Sequence, residues 1–223
     1  LNYGVGGYGV EQIFLLYQKT IGQYTNPYVI LSVFTEDLDR SVPSVRTGQK
    51  PIYRLVNDRL VLSGVPIDSS FDSFLSDHPP EIRSYLFQMY VRNAWPPWRL
   101  KNYLFRAAAL SDMKEKIEAI NRRILLEIMR DLRTRQLNYV FLIFHPKWAL
   151  TANDGWRDAF LANLFHSNKA PYLTSKPLLQ RKAEQSRARY DDYYMAVDGH
   201  LNTRGNKVIA EAIRNHILAG TPH

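Results

Sequence analysis

Three observations predict an α/β fold. Two apolar, β-rich runs, Tyr28–Phe34 and Leu137–Phe144, stop at polar residues, Thr35-Glu36-Asp37 in one case and His145-Pro146 in the other. Runs of this kind suit strands buried on both faces. Around them lie segments whose apolar residues return every three to four positions, the spacing of one helix face. Helix-like and strand-like segments alternate, and that alternation builds parallel sheets whose ligands gather outside the strand carboxyl ends.

In chain order, residues 1–9 are dense in glycine (Gly4, Gly6, Gly7, Gly9), and Val10–Ile21 carries Ile13, Leu16, Tyr17 and Ile21 on one helical face. Asn26-Pro27 closes that segment, the strand Tyr28–Phe34 follows, and a polar loop runs to Arg40, so the opening reads as a βαβ unit. Ile52–Val56 and Leu60–Leu62, joined around Asn57-Asp58, read as a β-hairpin within an insertion over about 41–80. Residues 81–110 are helical and aromatic, broken by Trp95-Pro96-Pro97-Trp98, a cluster read as packing a loop onto the core. Asp112 is the expected cap of a helix whose stripe is Met113, Ile117, Ile120, Ile124, Ile128 and Leu132. After the second strand come a short helix at 155–165, a short strand at Tyr172-Leu173 and a basic helix at 178–188. A last amphipathic helix carries Val208, Ile209, Ala212, Ile213, Ile217 and Leu218, with Asn202 or Thr203 as its N-cap. No repeat or low-complexity tract divides the chain, so 1–223 is expected to be one α/β domain with an insertion.

Composition narrows the function classes. With 45% hydrophobic and 13% aromatic residues, the chain can bury a substantial core. It has no cysteine, which rules out thiolate metal sites and a cysteine nucleophile and leaves the compartment unassigned. No apolar run approaches the ~20 residues of a membrane span. The net charge of +8 concentrates in 114–135 and 176–189, but no aromatic-basic nucleic-acid motif accompanies it, so nucleic acid is not an expected partner. His78, His166, His216 and His223 lack ligand spacing and read as surface residues, and His145 reads as structural. No metal site is expected. The chain starts at Leu1 without a methionine or a lead-in and reads as a fragment or a processed chain.

Two motifs compete. Gly4-Val5-Gly6-Gly7-Tyr8-Gly9 satisfies G-x-G-x-x-G, the glycine pattern that admits a pyrophosphate to a helix N-terminus. Only three residues precede Gly4, however, and the acidic pair Glu36-Asp37 falls later than the roughly 20 residues the dinucleotide fingerprint takes. The other motif is Asp198-Gly199-His200-Leu201-Asn202 with Gly205, an acid and an imidazole in a turn that opens the last helix. A carboxylate beside a histidine suits a general base with an orienting partner.

The stretch Asn2–Gln12 resembles the second conserved block of the SGNH (GDSL-type) hydrolases. Tyr28–Asp37 resembles the strand leading to their third block, and Asp198–Asn202 with Gly205 resembles the last block, which carries the histidine. The three occur in family order and span the chain apart from the hairpin insertion. The resemblance implies a three-layer, flavodoxin-like, doubly wound parallel sheet and a Ser-His-Asp esterase acting on carboxylic esters, O-acetylated carbohydrate among them, with no cofactor. Gly7, five positions after Asn2, takes the place of the oxyanion glycine. His200 takes that of the general base, and Asp198 is its partner, with Asp191 or Asp192 as alternatives.

Three departures stand beside these matches. The nucleophilic serine and the first central strand of the family lie ahead of the second block, so both are expected upstream of Leu1. The family's third-block asparagine aligns with Glu36, and an ionised carboxylate accepts hydrogen bonds where an oxyanion needs a donor. The family's acid lies three residues before the histidine, where this chain has Val197. The alternatives are a catalytically degenerate binding or assembly domain on the same fold and, behind it, a dinucleotide-binding oxidoreductase.

Overall fold

The computed structural model describes residues 1–44, 49–67, 70, 96–152, 155–196 and 199–220. Its elements are α1 (Val10–Thr20), β1 (Val29–Phe34), a helical turn α2 (Asp37–Arg40), β2 (Ile52–Val56), β3 (Arg59–Ser63), α3 (Pro96–Thr134), β4 (Tyr139–Phe144), α4 (Trp156–Ser167), β5 (Tyr172–Thr174), α5 (Ser175–Ser186) and α6 (Thr203–Gly220). The chain forms two compact units, one of Leu1–Arg40 with Leu125–His223 and one of Ser41–Ile124.

The first unit holds a parallel sheet in the order β1-β4-β5, so the protein is mixed α/β. Val29 to Phe34 run in register with Tyr139 to Phe144, and Phe141 to Ile143 with Tyr172 to Thr174. β4 has a strand on each side, and its residues Val140–Ile143 are buried on both faces, as an uninterrupted apolar run requires. β1 has one partner strand among the described residues and alternates: Leu31 and Val33 are buried, whereas Ile30 and Ser32 are exposed.

Helices cover both faces of the sheet. On one, the Phe141 ring stacks on Phe165 of α4 with centroids 4.3 Å apart, and Phe165 meets Tyr172 of β5. On the other, Leu142 packs with Leu179 and Ala183 of α5, with Tyr193 and Tyr194, and with Ile209 of α6. Each buried leucine, isoleucine or phenylalanine among them contributes roughly 1.5–3 kcal/mol of transfer free energy. From α3 this unit takes Leu125, Ile128, Met129 and Leu132, all buried, and Tyr17 of α1 donates to Asp131 at 2.7 Å. Burial and that bond both push the Tyr17 phenol well above its ordinary range.

The second unit holds the hairpin β2-β3, whose turn is Asn57-Asp58 with φ of 49° and 57°. Two positive φ values make the primed turn that matches the twist of paired strands, and Asn and Asp tolerate it better than other non-glycine residues. In this unit Ser41 donates to the Asn121 side chain at 2.9 Å, which donates in turn to the Ile117 carbonyl.

One boundary differs from the sequence reading. Asp112 does not start a helix, because α3 runs unbroken from Pro96 through it to Thr134. Residues 99–111 hold Leu, Lys, Arg and Ala without glycine or proline, so nothing breaks the helix there, and proline is well suited to its first position. The apolar stripe holds from Ile117 to Leu132, whereas Met113 is exposed. Residues 71–95, including Trp95, lie outside the described residues.

Candidate functional site

Loops after two neighbouring strands meet at the carboxyl end of the sheet, where Thr35 donates its N–H to Phe144 O at 3.0 Å and continues the β1-β4 ladder by one residue. Following β1, Thr35 and Asp37 are buried. Asp37 accepts from the Phe34 N–H at 3.3 Å and pairs with Arg40, so it braces its own loop. Glu36 is more open, with 41% of its side chain exposed, and its carboxylate lies 4.0 Å from the Arg40 guanidinium.

The glycine turn sits against this loop. A Cβ on Gly9 would run into the Glu11 carboxylate and the main chain of Arg40, so glycine there permits close approach of two backbones. Gly9 donates to the Gln12 side chain at 3.3 Å and leads into α1, whose first turn holds the buried Glu11. Gly7 adopts φ of 85°, a left-handed conformation open to glycine, and residues 1–7 are exposed. The second sequence block therefore abuts the chain just past the third, at Arg40.

His200 lies on a loop closed by main-chain bonds. Tyr194 and Leu201 form an antiparallel bridge, Met195 donates to His200 O at 2.7 Å, and Asn202 donates to Tyr193 O at 3.0 Å. The Asn202 side chain binds both sides of that closure. Its amide donates to Asp192 O at 2.9 Å and Tyr194 O at 3.2 Å, while its oxygen accepts the Gly205 N–H at 3.0 Å. Asn202, not Thr203, is thus the N-cap of α6, bonded to the third helical residue. A Cβ on Gly205 would meet Tyr193 O and Leu201, so this glycine too serves close packing. The imidazole of His200 is exposed, Gly199 before it has φ of 70°, and Asp198 falls outside the described residues.

Asp191 and Asp192, the alternative partners, are committed elsewhere. Asp191 pairs with Lys147 at 2.7 Å, and this bond, together with the lysine charge, holds its carboxyl below the ordinary range. Asp192 accepts the Arg189 N–H at 3.1 Å and lies 3.9 Å from both Arg189 and Arg204. Arg204 also stacks over the Tyr193 ring at 4.7 Å.

One cluster was not foreseen from the sequence. His145, just past β4, is fully buried between Ser175, just past β5, and Asp158 of α4. Ser175 Oγ accepts the His145 N–H at 3.0 Å and lies 3.1 Å from His145 Nδ1. Nε2 stands 3.1 Å from Asp158 Oδ1, without the straight geometry of a strong hydrogen bond. That contact lowers the Asp158 pKa, partial burial opposes the shift, and the charges of His145 and Lys176 add to it. Only the position of His145 at a strand end hinted at this cluster, because Asp158 and Ser175 come from separate elements.

Comparison with protein-family models, with curated proteins and with solved structures gives no match. What the fold assembles is a set of segments. The glycine turn meets the loop after β1, and the His200 loop is tied to the residue after β4 by Tyr194, whose hydroxyl donates to His145 O at 3.3 Å. Among the described residues no group of His, Asp and Glu has the arrangement of a metal site, and no helix is long and apolar enough to cross a membrane.

Proposed function

We propose that the chain is the α/β domain of an SGNH-type serine esterase, a flavodoxin-like doubly wound sheet in which β1 pairs on its open side with a strand from outside these 223 residues. The nucleophilic serine comes from that same outside segment. The observation that carries the reading is the fastening of the His200 loop to the residue after β4, while the segment that follows the neighbouring β1 meets the glycine turn at Arg40. His200 takes the serine proton as the serine oxygen attacks the ester carbonyl, and the Gly7 amide donates to the developing oxyanion. Collapse expels the alcohol, which leaves with the proton from His200. Water, deprotonated by the same imidazole, then releases the acid. Asp198 orients the ring, and the exposed setting of His200 suits a small-molecule or carbohydrate ester. No cofactor enters the scheme and nucleic acid is not a substrate.

The test is hydrolysis of short-chain nitrophenyl esters and acetylated sugars by the full gene product. Turnover that disappears in the His200→Ala variant supports the reading, and a folded, inactive full-length protein overturns it. A second reading, a binding domain on this fold that has lost catalysis, draws on Glu36, whose carboxylate is turned to Arg40 where an oxyanion would need a donor. The dinucleotide reading ranks behind both, because Asp37 is taken up by Arg40 and its own main chain.

A further inference from the structure

Among the described residues, a side-chain hydrogen bond joins the loop that carries His200 to the main chain at a strand end. Its route can be followed atom by atom. Met195 donates to His200 O at 2.7 Å, and the residue before Met195, Tyr194, bridges to the residue after His200, Leu201. The Tyr194 hydroxyl reaches into the core and donates to His145 O at 3.3 Å. His145 is itself held by Ser175 at the start of α5, through its main-chain N–H and ring Nδ1, with Asp158 of α4 3.1 Å from its Nε2. Tyr194 is 4% exposed, so its hydroxyl has exchanged water for this one carbonyl, and losing that partner leaves a buried polar group unsatisfied.

From this route we infer that Tyr194 is the positioning residue of the His200 imidazole, setting the loop's height above the sheet through the main chain of His145. The inference rests on the esterase reading for its catalytic meaning, though not for its geometry. Among the described residues, the neighbouring contacts act differently from the Tyr194 bond. Lys147–Asp191 is an exposed ion pair, and pairs of that kind hold geometry weakly. Asn202 closes the loop onto itself and onto α6, so it shapes the loop without fixing its distance from β4. Tyr193, one residue earlier and in the same core cluster, bonds through its hydroxyl to Ser186 of α5 at 2.9 Å instead. The two adjacent tyrosines therefore form an internal control, one with a buried hydroxyl bond to the strand end and one with a part-buried hydroxyl bond to a helix.

The experiment compares Tyr194→Phe and Tyr193→Phe in the full gene product carrying ¹³C-labelled histidine, with the His200 ring signal assigned by its loss in His200→Ala. In Tyr194→Phe the His200 signal shifts and broadens while the signals of His166 and His216 stay in place. In Tyr193→Phe the His200 signal does not move, although the melting temperature falls to a similar extent. A His200 signal disturbed by both substitutions, or by neither, overturns the inference. In the ester assay, Tyr194→Phe lowers kcat about tenfold or more with KM unchanged, and Tyr193→Phe keeps kcat within about twofold. Equal kcat in the two variants also overturns it. If the full gene product hydrolyses no ester, the esterase reading fails, and the histidine signals still decide what Tyr194 does.

Discussion

Residues 1–9 and residues 190–205 carry the first and last of the sequence blocks that point to hydrolase chemistry, and they are built in opposite ways. The glycine turn is exposed over residues 1–7 and closes with a Tyr8-to-Val5 bond of 3.4 Å, and its firm attachment is the close approach of Gly9 to Arg40. The His200 loop is closed by a bridge, by main-chain bonds of 2.7 and 3.0 Å and by an asparagine with three side-chain bonds, and its root is buried. A turn meant to offer a backbone N–H needs glycine and open space. A loop meant to hold an imidazole against one proton path needs rigidity. In the proposed esterase the last block supplies precision and the glycine turn supplies access.

Substitutions can break this contrast from either side. The largest effect expected is on His200: in the full gene product, His200→Ala lowers turnover by at least about 10³-fold, the scale of losing a general base, with an unchanged circular dichroism spectrum. Next comes Gly205→Ala, which forces a Cβ into Tyr193 O and Leu201 and costs about 1–3 kcal/mol, read as a lower denaturation midpoint. A Gly6→Ala change, where a Cβ meets nothing within 4 Å, leaves that midpoint within about 0.5 kcal/mol and so measures how much looser the first turn is. Asn202→Ala removes the α6 cap and the loop brace together and costs about 2 kcal/mol.

The smallest effect concerns acid stability. The Asp158 carboxyl is held below its ordinary value in the fold by its contact with His145, so its contribution is present above that ordinary value, near pH 4. The contribution is lost as the pH falls through the lower folded value. Urea midpoints between pH 5 and pH 2 therefore fall less steeply in Asp158→Asn than in the native chain.

Much of the fold was legible because periodicity is a local property. The strands at Val29–Phe34 and Tyr139–Phe144, the helix from Val10 and the turn at Asn57-Asp58 stand within a residue or two of where their patterns put them. Helix ends were harder. α3, α4 and α5 end next to Gln136, Lys169 and Arg187, with φ of 56°, 51° and 49°, left-handed positions usually given to glycine. With no glycine there, the sequence carries no stop signal, and the bonds from Leu137 to Leu132 O, Ala170 to Phe165 O and Ala188 to Ala183 O close the helices instead. The site was legible by segment and not by partner. Spacing could bring His200 and Gly7 forward, but the His145–Ser175 contact joins residues 30 positions apart, which no local pattern encodes.

The most direct test of the central claim, that His200 activates a serine supplied by the same polypeptide, is the rate at which an organophosphonate modifies the full gene product, followed by intact mass. The account predicts one phosphonyl group per chain, bound to a serine, formed at least about 100-fold more slowly in His200→Ala. No adduct, or an adduct formed equally fast in both proteins, would contradict it.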